Sequence, residues 1–241
     1  MTNPTAAILI IGDEILSGRT REGNAYWLAG ELLAAGITLA EIRVIPDDHA
    51  TIVSAVRELS ARNDTLFTSG GIGPTHDDIT ADAVADAFGR SIDVREDARA
   101  LLAAYYASRE LEFTSARMRM ARIPDGAALI DNPVSVAPGF SIENTYVMAG
   151  VPSVFQAMVA SVLPTLTGGA PLLSESWRVM RAESEVADPL REMAEAYPAL
   201  SFGSYPFTVK GEFGTNLVIR GTDAALLADA YATLKTRFPV A

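Results

Sequence analysis

Apolar positions open the chain as an unbroken run, Ala6-Ala7-Ile8-Leu9-Ile10-Ile11, ended by Gly12. A continuous run of this length predicts a strand buried on both faces, the habit of parallel sheets. The period then lengthens. Across residues 22–35, Trp27, Leu28, Leu32 and Leu33 recur at helical spacing, and Gly36 stands where such a helix would stop. Tyr26, Trp27 and Leu28 are expected to pack into the core. A second strand is predicted around Glu41–Pro46, a helix around 49–61 starting at His49, and a third strand over Thr65–Thr68. A helix from about Thr80 to Phe88 follows, stopped by Gly89. Strand–helix alternation at this pace predicts an α/β fold with a mostly parallel sheet and helices on both faces.

Residues 91–123 read as mostly helical, and residues 127–148 as short strands broken by Pro133, Pro138 and Gly139. A helix is predicted from about Pro152 to Leu166. Thr167-Gly168-Gly169-Ala170-Pro171 has the composition of a linker, dividing the chain into a domain over residues 1–168 and a small α+β domain over 172–241. In the latter, 177–183 reads as a strand, 185–196 as a helix, 200–204 and 213–220 as strands, and 223–237 as a closing helix.

Composition narrows the function. The 241 residues are 49% hydrophobic and 20% charged, which excludes a disordered chain. The absence of cysteine removes disulfides, iron–sulfur clusters and thiol nucleophiles, and two histidines cannot build an all-histidine metal site. A membrane span and a signal peptide are not expected either, so the sequence reads as a soluble, cytoplasmic protein. With 19 basic and 30 acidic residues the net charge is −11. Such a chain repels nucleic acid; short α+β units can serve as RNA-binding modules, but this one has no Gly-x-x-Gly loop flanked on both sides by Lys or Arg, and Lys210-Gly211-Glu212-Phe213-Gly214 carries one Lys and one Glu. An anionic small-molecule ligand would need a cation to mediate.

Three loops carry the candidate chemistry. Thr68-Ser69-Gly70-Gly71-Ile72-Gly73-Pro74-Thr75-His76-Asp77-Asp78-Ile79-Thr80 joins a predicted strand to a helix. Its glycines permit a tight turn and close approach of backbone N–H groups to an anion. Asp77 and Asp78 would repel phosphate directly, but suit a Mg²⁺-type cation placed between carboxylate and phosphate oxygens. The plain alternative is that Asp78 or Thr80 only caps the helix. Asp47-Asp48 follows the second strand, and Gly12-Asp13-Glu14-Ile15-Leu16-Ser17-Gly18, with Asn24 beyond it, follows the first. In a doubly wound sheet these strand ends share one edge, where ligands bind. Arg19, Arg21, Arg117, Arg119 and Arg122 could recognise phosphate, although Arg119 and Arg122 lie on one helix face and read more readily as a solvated face paired with Glu. His76 lies within the glycine–aspartate loop and could contact a ligand, or be an exposed turn residue.

These loops together resemble the molybdopterin-binding domain family, and specifically the N-terminal portion of the competence/damage-inducible protein A (CinA) group. Asn132-Pro133-Val134-Ser135-Val136-Ala137-Pro138-Gly139-Phe140 is similar to that family's Asn-Pro-x-Gly-x-Ala-Pro-Gly-Phe loop. Gly150-Val151-Pro152 matches its Pro-Gly-Val-Pro turn. Phe202-Gly203-Ser204-Tyr205-Pro206-Phe207 resembles the small domain that follows in these proteins and in eukaryotic FAD synthases.

The resemblance implies a three-layer α/β/α domain that binds molybdopterin or a pyrophosphate-bearing nucleotide with a divalent metal, Mg²⁺, Mn²⁺ or Co²⁺, and K⁺ as a further candidate. Asp47 and Asp78 stand at the family's key aspartates, as catalytic and metal-binding residues, with Asp77 as a third metal ligand. Ligand binding is carried over to Gly12, Glu14, Ser69, Gly70, Gly71, Gly73, Pro74 and Thr75, and to Ser135, Ala137, Pro138 and Gly139. Departures are Ser135 for Gly, Ala149 for Pro and Val154 for a common Glu. The amidohydrolase domain of full-length CinA proteins does not follow within the sequence, so nicotinamide-nucleotide deamidation is not expected. The resemblance also implies a homodimer or homotrimer. Three functions stay open: a metal-dependent nucleotide pyrophosphatase, a molybdopterin-binding adenylyltransferase, and a non-catalytic ligand-binding domain.

Overall fold

Each residue of the first apolar run faces one side or the other of a central sheet. A computed structural model describes residues 3–209 and 211–239, and strand β1 (Thr5–Ile11) lies at the heart of its larger unit. Ala7, Leu9 and Ile11 enter one core; Ala6, Ile8 and Ile10 enter the other. After β1 come α1 (Asp13–Leu16), α2 (Asn24–Ala34), β2 (Thr38–Ile45), α3 (His49–Arg62), β3 (Thr65–Ser69) and α4 (Thr80–Ala87). They are followed by β4 (Ile92–Val94), α5 (Glu96–Ser108), α6 (Ser115–Met118), β5 (Arg122–Pro124), β6 (Ala128–Ile130), β7 (Gly139–Ile142), β8 (Thr145–Met148) and α7 (Pro152–Val162).

The main sheet has the order β2-β1-β3-β8-β7-β6. Its first four strands are parallel, and only β7 runs against its neighbours. Helices α3, α4 and α5 cover one face, with Ile52, Val56, Leu59, Val84 and Leu102 fully buried, and α2 and α7 cover the other with Leu28, Leu32, Phe155 and Met158. The fold is therefore the expected mostly parallel three-layer α/β domain. The carboxyl ends of β1, β2, β3, β8 and β6 share one edge of the sheet, which aligns every loop that carries candidate chemistry.

Several local expectations are corrected. On α2 the buried positions are Asn24, Ala25, Leu28 and Leu32. That spacing turns Tyr26 outward, where it is 86% exposed, and leaves Leu33 exposed as well. Residues 91–123 are only partly helical, because β4 and β5 pair as an antiparallel ribbon at their two ends. The helix beginning at Pro152 gives way after Val162 to a tight 3₁₀ turn, Leu163–Thr165, that contains Pro164.

The chain divides into two compact units between Gly169 and Ala170. The second holds β9 (Leu173–Val179), α8 (Glu183–Ala196), β10 (Ser201–Val209), β11 (Glu212–Gly221) and α9 (Ala224–Arg237). Its antiparallel sheet has the order β10-β11-β9. Leu217, Ile219, Val186, Leu234 and Phe238 form its core, and Trp177 Nε1 donates to the Phe238 carbonyl at 2.8 Å. The strand expected over 177–183 ends instead at Val179, because helix α8 begins at Glu183. There Glu185 accepts a hydrogen bond from the Ala182 N–H at 2.8 Å, one half of a capping box. Lys210 lies outside the described residues.

Candidate functional site

The glycine turn after β3 owes its shape to two residues that no side chain could replace. Gly70 has φ +109°, and a Cβ there would stand 2.2 Å from the Ile11 carbonyl oxygen. Gly71 has φ +70°, and its Cβ would stand 2.1 Å from Thr80 Oγ1. The turn thus lies tightly between the end of β1 and the start of α4, tied by the Thr80 N–H to the Gly71 carbonyl at 3.0 Å. The N–H groups of Gly71, Ile72 and Gly73 have no acceptor among the described residues. They stand open beside a cleft of about 510 Å³.

Helix-capping does not account for the carboxylates that follow. The residue preceding α4 is Ile79, and no side chain caps the helix. Asp78 instead folds back over its own loop, where Oδ2 accepts from the Thr75 N–H at 2.7 Å and the Thr75 hydroxyl at 2.5 Å. The Thr75 side chain, followed by Asp77's own N–H, holds the Asp77 carboxyl below the usual aspartate range. His76 is fully exposed beside them.

Asp47 and Asp48 are separated in the same way. Asp48 is the N-cap of α3, accepting from the Thr51 N–H at 2.9 Å and its hydroxyl at 2.7 Å, and these bonds lower its pKa. Asp47 reaches back across the sheet edge and accepts from the Asp13 N–H at 2.9 Å. Burial pushes its carboxyl above the ordinary range; the Asp13 N–H opposes this, and the charges of Asp13, Glu14 and Asp77 add to it.

The opposite wall comes from the loop between β6 and β7. Asn132, buried, donates to Ser135 Oγ at 2.7 Å and to the Ala137 carbonyl at 2.8 Å, while its Oδ1 accepts from Val134 and Ser135. Val136 is held at φ +66°, a costly conformation for a β-branched residue. The floor is pinned by Asn24, whose Nδ2 donates to Ser69 Oγ at 2.9 Å and to the Gly150 carbonyl at 2.8 Å.

Gly12, Glu14, Asp47, Gly70, Gly71, Gly73, Asp77, Asp78, Ser135 and Ala137 come together around the cleft. Ser69 does not border it: the residue is buried beneath, engaged by Asn24. Pro74 and Thr75 lie outside its lining, Thr75 bracing Asp78. Pro138 faces a small neighbouring cavity, and Gly139 opens β7 against the Val147 carbonyl. Residues given no ligand role from the sequence also line the cleft, among them Ile11, Thr20, Met120 and Asn132. Asn132 is legible in sequence as an Asx-type turn residue. Met120 carries no local signal, since only the packing of the β4–β5 insert brings it here. The substituted residues Ala149 and Val154 line the cleft as well, so the place of the common Glu is apolar.

Among the described residues no group of three acidic or histidine side chains is gathered closely enough to cage a metal. The all-oxygen donor set fits a cation that takes one or two carboxylates from the protein and completes its shell with phosphate oxygens and water, the habit of Mg²⁺.

A parallel-sheet edge with open glycine N–H groups, carboxylates and an apolar wall defines a small-molecule-binding α/β domain. Residues 7–168 match the family described as a probable molybdopterin binding domain, and the chain belongs to that family. Residues 171–241 match the family described as the FAD synthase middle domain. A protein of Pyrobaculum calidifontis is 37% identical over 84% of this chain and 81% of its own length. A CinA-like protein of Citrifermentans bemidjiense is 39% identical over 67% of this chain but only 40% of its own length. The crystal structure of CinA from Thermoplasma acidophilum, a protein described as of unknown function, superposes with a TM-score of 0.62 at 32% identity, covering 67% of this chain and 98% of that one. No helix among the described residues is long and apolar enough to cross a membrane.

Proposed function

We propose that the chain is a divalent-cation-dependent nucleotide pyrophosphatase acting on ADP-ribose or FAD-like dinucleotides. The observation that carries this reading is the meeting, in one cleft, of the open N–H groups of Gly71–Gly73 with the carboxylates of Asp47, Asp77 and Asp78. Donors favour phosphate, while the carboxylates favour a cation, so the pair suits a metal-bound pyrophosphate. Asp47 and Asp77 would hold the cation, which supplies neutralisation of phosphate charge when bound.

The glycine turn donates to the non-bridging oxygens, where charge grows as water attacks phosphorus. The bond from phosphorus to the bridging oxygen breaks, and ADP-ribose yields AMP and ribose 5-phosphate. Asp78, beside the glycine turn, would accept the proton of the attacking water. The apolar wall of Met120, Val151 and Val154 suits a base or flavin ring.

The test is mass-spectrometric product analysis after incubation with ADP-ribose, FAD and ATP, each with Mg²⁺, Mn²⁺ or Co²⁺ and with or without K⁺, beside Asp78→Asn. Metal-dependent release of AMP from ADP-ribose or FAD, lost in Asp78→Asn, is the expected result. The description of the matched family favours a second reading, molybdopterin binding with adenylyl transfer to its phosphate. Intact dinucleotides together with binding of the pterin would select it.

A further inference from the structure

Five arginines are candidates for phosphate recognition, and the structure separates them. Arg122 is paired with Asp82. Arg117 donates to the Glu112 carbonyl and stacks on the Tyr106 ring at 4.3 Å. Arg19 and Arg21 are exposed and do not border the cleft. Arg119 differs. It sits on the 3₁₀ turn Arg119–Ala121, which is fixed by the Arg95 N–H bonding to the Ala121 carbonyl at 2.9 Å. Its Nη2 makes a long 3.3 Å bond to the Asp78 carbonyl, its Nε is buried with no partner, and no carboxylate pairs with it among the described residues.

A half-buried guanidinium without a counter-charge is unfavourable, and it marks a place where a ligand can supply the missing anion. Arg119 borders a cavity of about 20 Å³, room for one water molecule, that shares Ile72, Gly73, Asp78 and Met120 with the lining of the main cleft. None of the residues lining the main cleft is a lysine or an arginine.

We infer that Arg119, in the small cavity that adjoins the cleft across Ile72, Gly73, Asp78 and Met120, is the anion-binding residue of the site, so that the site is bipolar. Asp47 and Asp77 would hold the cation at the β2 end, and Arg119 takes a phosphate oxygen beside the start of β7, exchanging its long bond to the Asp78 carbonyl for a charge-assisted one. The inference rests on the pyrophosphatase reading for its ligand class and sharpens it: the ligand carries an extended anionic group, such as a pyrophosphate, and not a lone carboxylate.

The experiment is calorimetric titration of the whole chain with inorganic pyrophosphate and with AMP, both with Mg²⁺, for wild type, Arg119→Gln and Arg119→Lys. Mn²⁺ binding alone is followed by electron paramagnetic resonance, and folding by thermal denaturation. Arg119→Gln is expected to weaken pyrophosphate binding about tenfold or more, the loss typical of one charge-assisted hydrogen bond. Arg119→Lys recovers part of it, AMP binding falls less, and Mn²⁺ affinity stays within about twofold. Pyrophosphate binding unchanged in a folded Arg119→Gln, or equal losses for Mn²⁺ and pyrophosphate, overturns the inference and leaves the pyrophosphatase reading standing. Arg119-dependent binding without dinucleotide cleavage keeps the inference and sinks that reading. A wild type that binds no pyrophosphate sinks both.

Discussion

Asp47 and Asp48 are chain neighbours whose carboxylates are perturbed in opposite directions. Asp48 accepts two hydrogen bonds from Thr51 as the cap of α3, which favours its charge. Asp47 faces the cleft, where burial and the carboxylates around it disfavour charge. The signs follow by linkage. A folded pKa above the ordinary 3.8 means that ionising Asp47 destabilises the fold; its favourable state is fully present below that value and is lost as pH rises through the folded pKa. Asp48 behaves conversely, contributing stability above 3.8 that is lost as pH falls through its lowered pKa. Without added metal, Asp47→Asn should therefore raise the thermal midpoint at pH 7, with the gain shrinking toward pH 3. Asp48→Ala should lower it at pH 7. Melting curves across pH 3 to 8 decide this; a destabilised Asp47→Asn at neutral pH would contradict the assignment.

The two faces of β1 and the alternation that builds the sheet are legible because burial on both sides leaves an unbroken apolar run, and no surface requirement blurs it. What stays hidden depends on partners. β4 and β5 have three residues each, too few to show a period, and exist because they pair with each other. β10 continues through Pro206, where the sequence suggests a stop, because β10 is an edge strand and its proline need donate to no neighbour. Tyr26 shows the same limit on α2: local spacing proposes a face, and Ala25, Leu28 and Leu32 choose another. Within the site, the glycines and aspartates are visible as types. Which aspartate caps a helix, and which arginine lacks a partner, becomes visible only in three dimensions.

The glycine turn yields a contrast among three positions with positive φ. At Gly18, with φ +70°, a Cβ would find nothing within 4 Å, whereas a Cβ at Gly70 or Gly71 would meet Ile11 or Thr80 at about 2 Å. Gly18→Ala should cost about 1–2 kcal/mol, the backbone penalty alone. Gly70→Ala must also displace backbone, and should cost more than roughly 3 kcal/mol or distort the cleft. Urea denaturation of the three alanine variants checks the order, and equal losses at Gly18 and Gly70 would refute the close-approach argument.

Asn24 joins the ends of β3 and β8 through one carboxamide. Asn24→Ala leaves the buried Ser69 hydroxyl and the Gly150 carbonyl without their donor and should cost about 2–4 kcal/mol. Asn24→Asp sets a carboxylate against the Gly150 carbonyl and should be worse at pH 7 than at pH 4, where its protonated form can donate one bond. A pH-independent penalty for Asn24→Asp would mean that charge at this position is relieved by some other route.

Cation binding provides the last test, because it acts on stability as well as on turnover. A ligand that binds only the folded state stabilises it by RT ln(1 + [L]/Kd), so 10 mM Mg²⁺ at a Kd on the order of 1 mM contributes about 1.4 kcal/mol. For a domain of this size that raises the midpoint by roughly 3–6 °C. The shift should shrink as pH falls toward the raised pKa of Asp47, since the proton and the cation compete for one carboxylate. Asp47→Asn, although more stable without metal, should gain little from it. Asp48→Ala, with its carboxylate lost only from the α3 cap, should gain as much as wild type. Equal Mg²⁺ shifts in wild type and Asp47→Asn would remove Asp47 from the cation site and return the acidic edge of the sheet to a solvated surface.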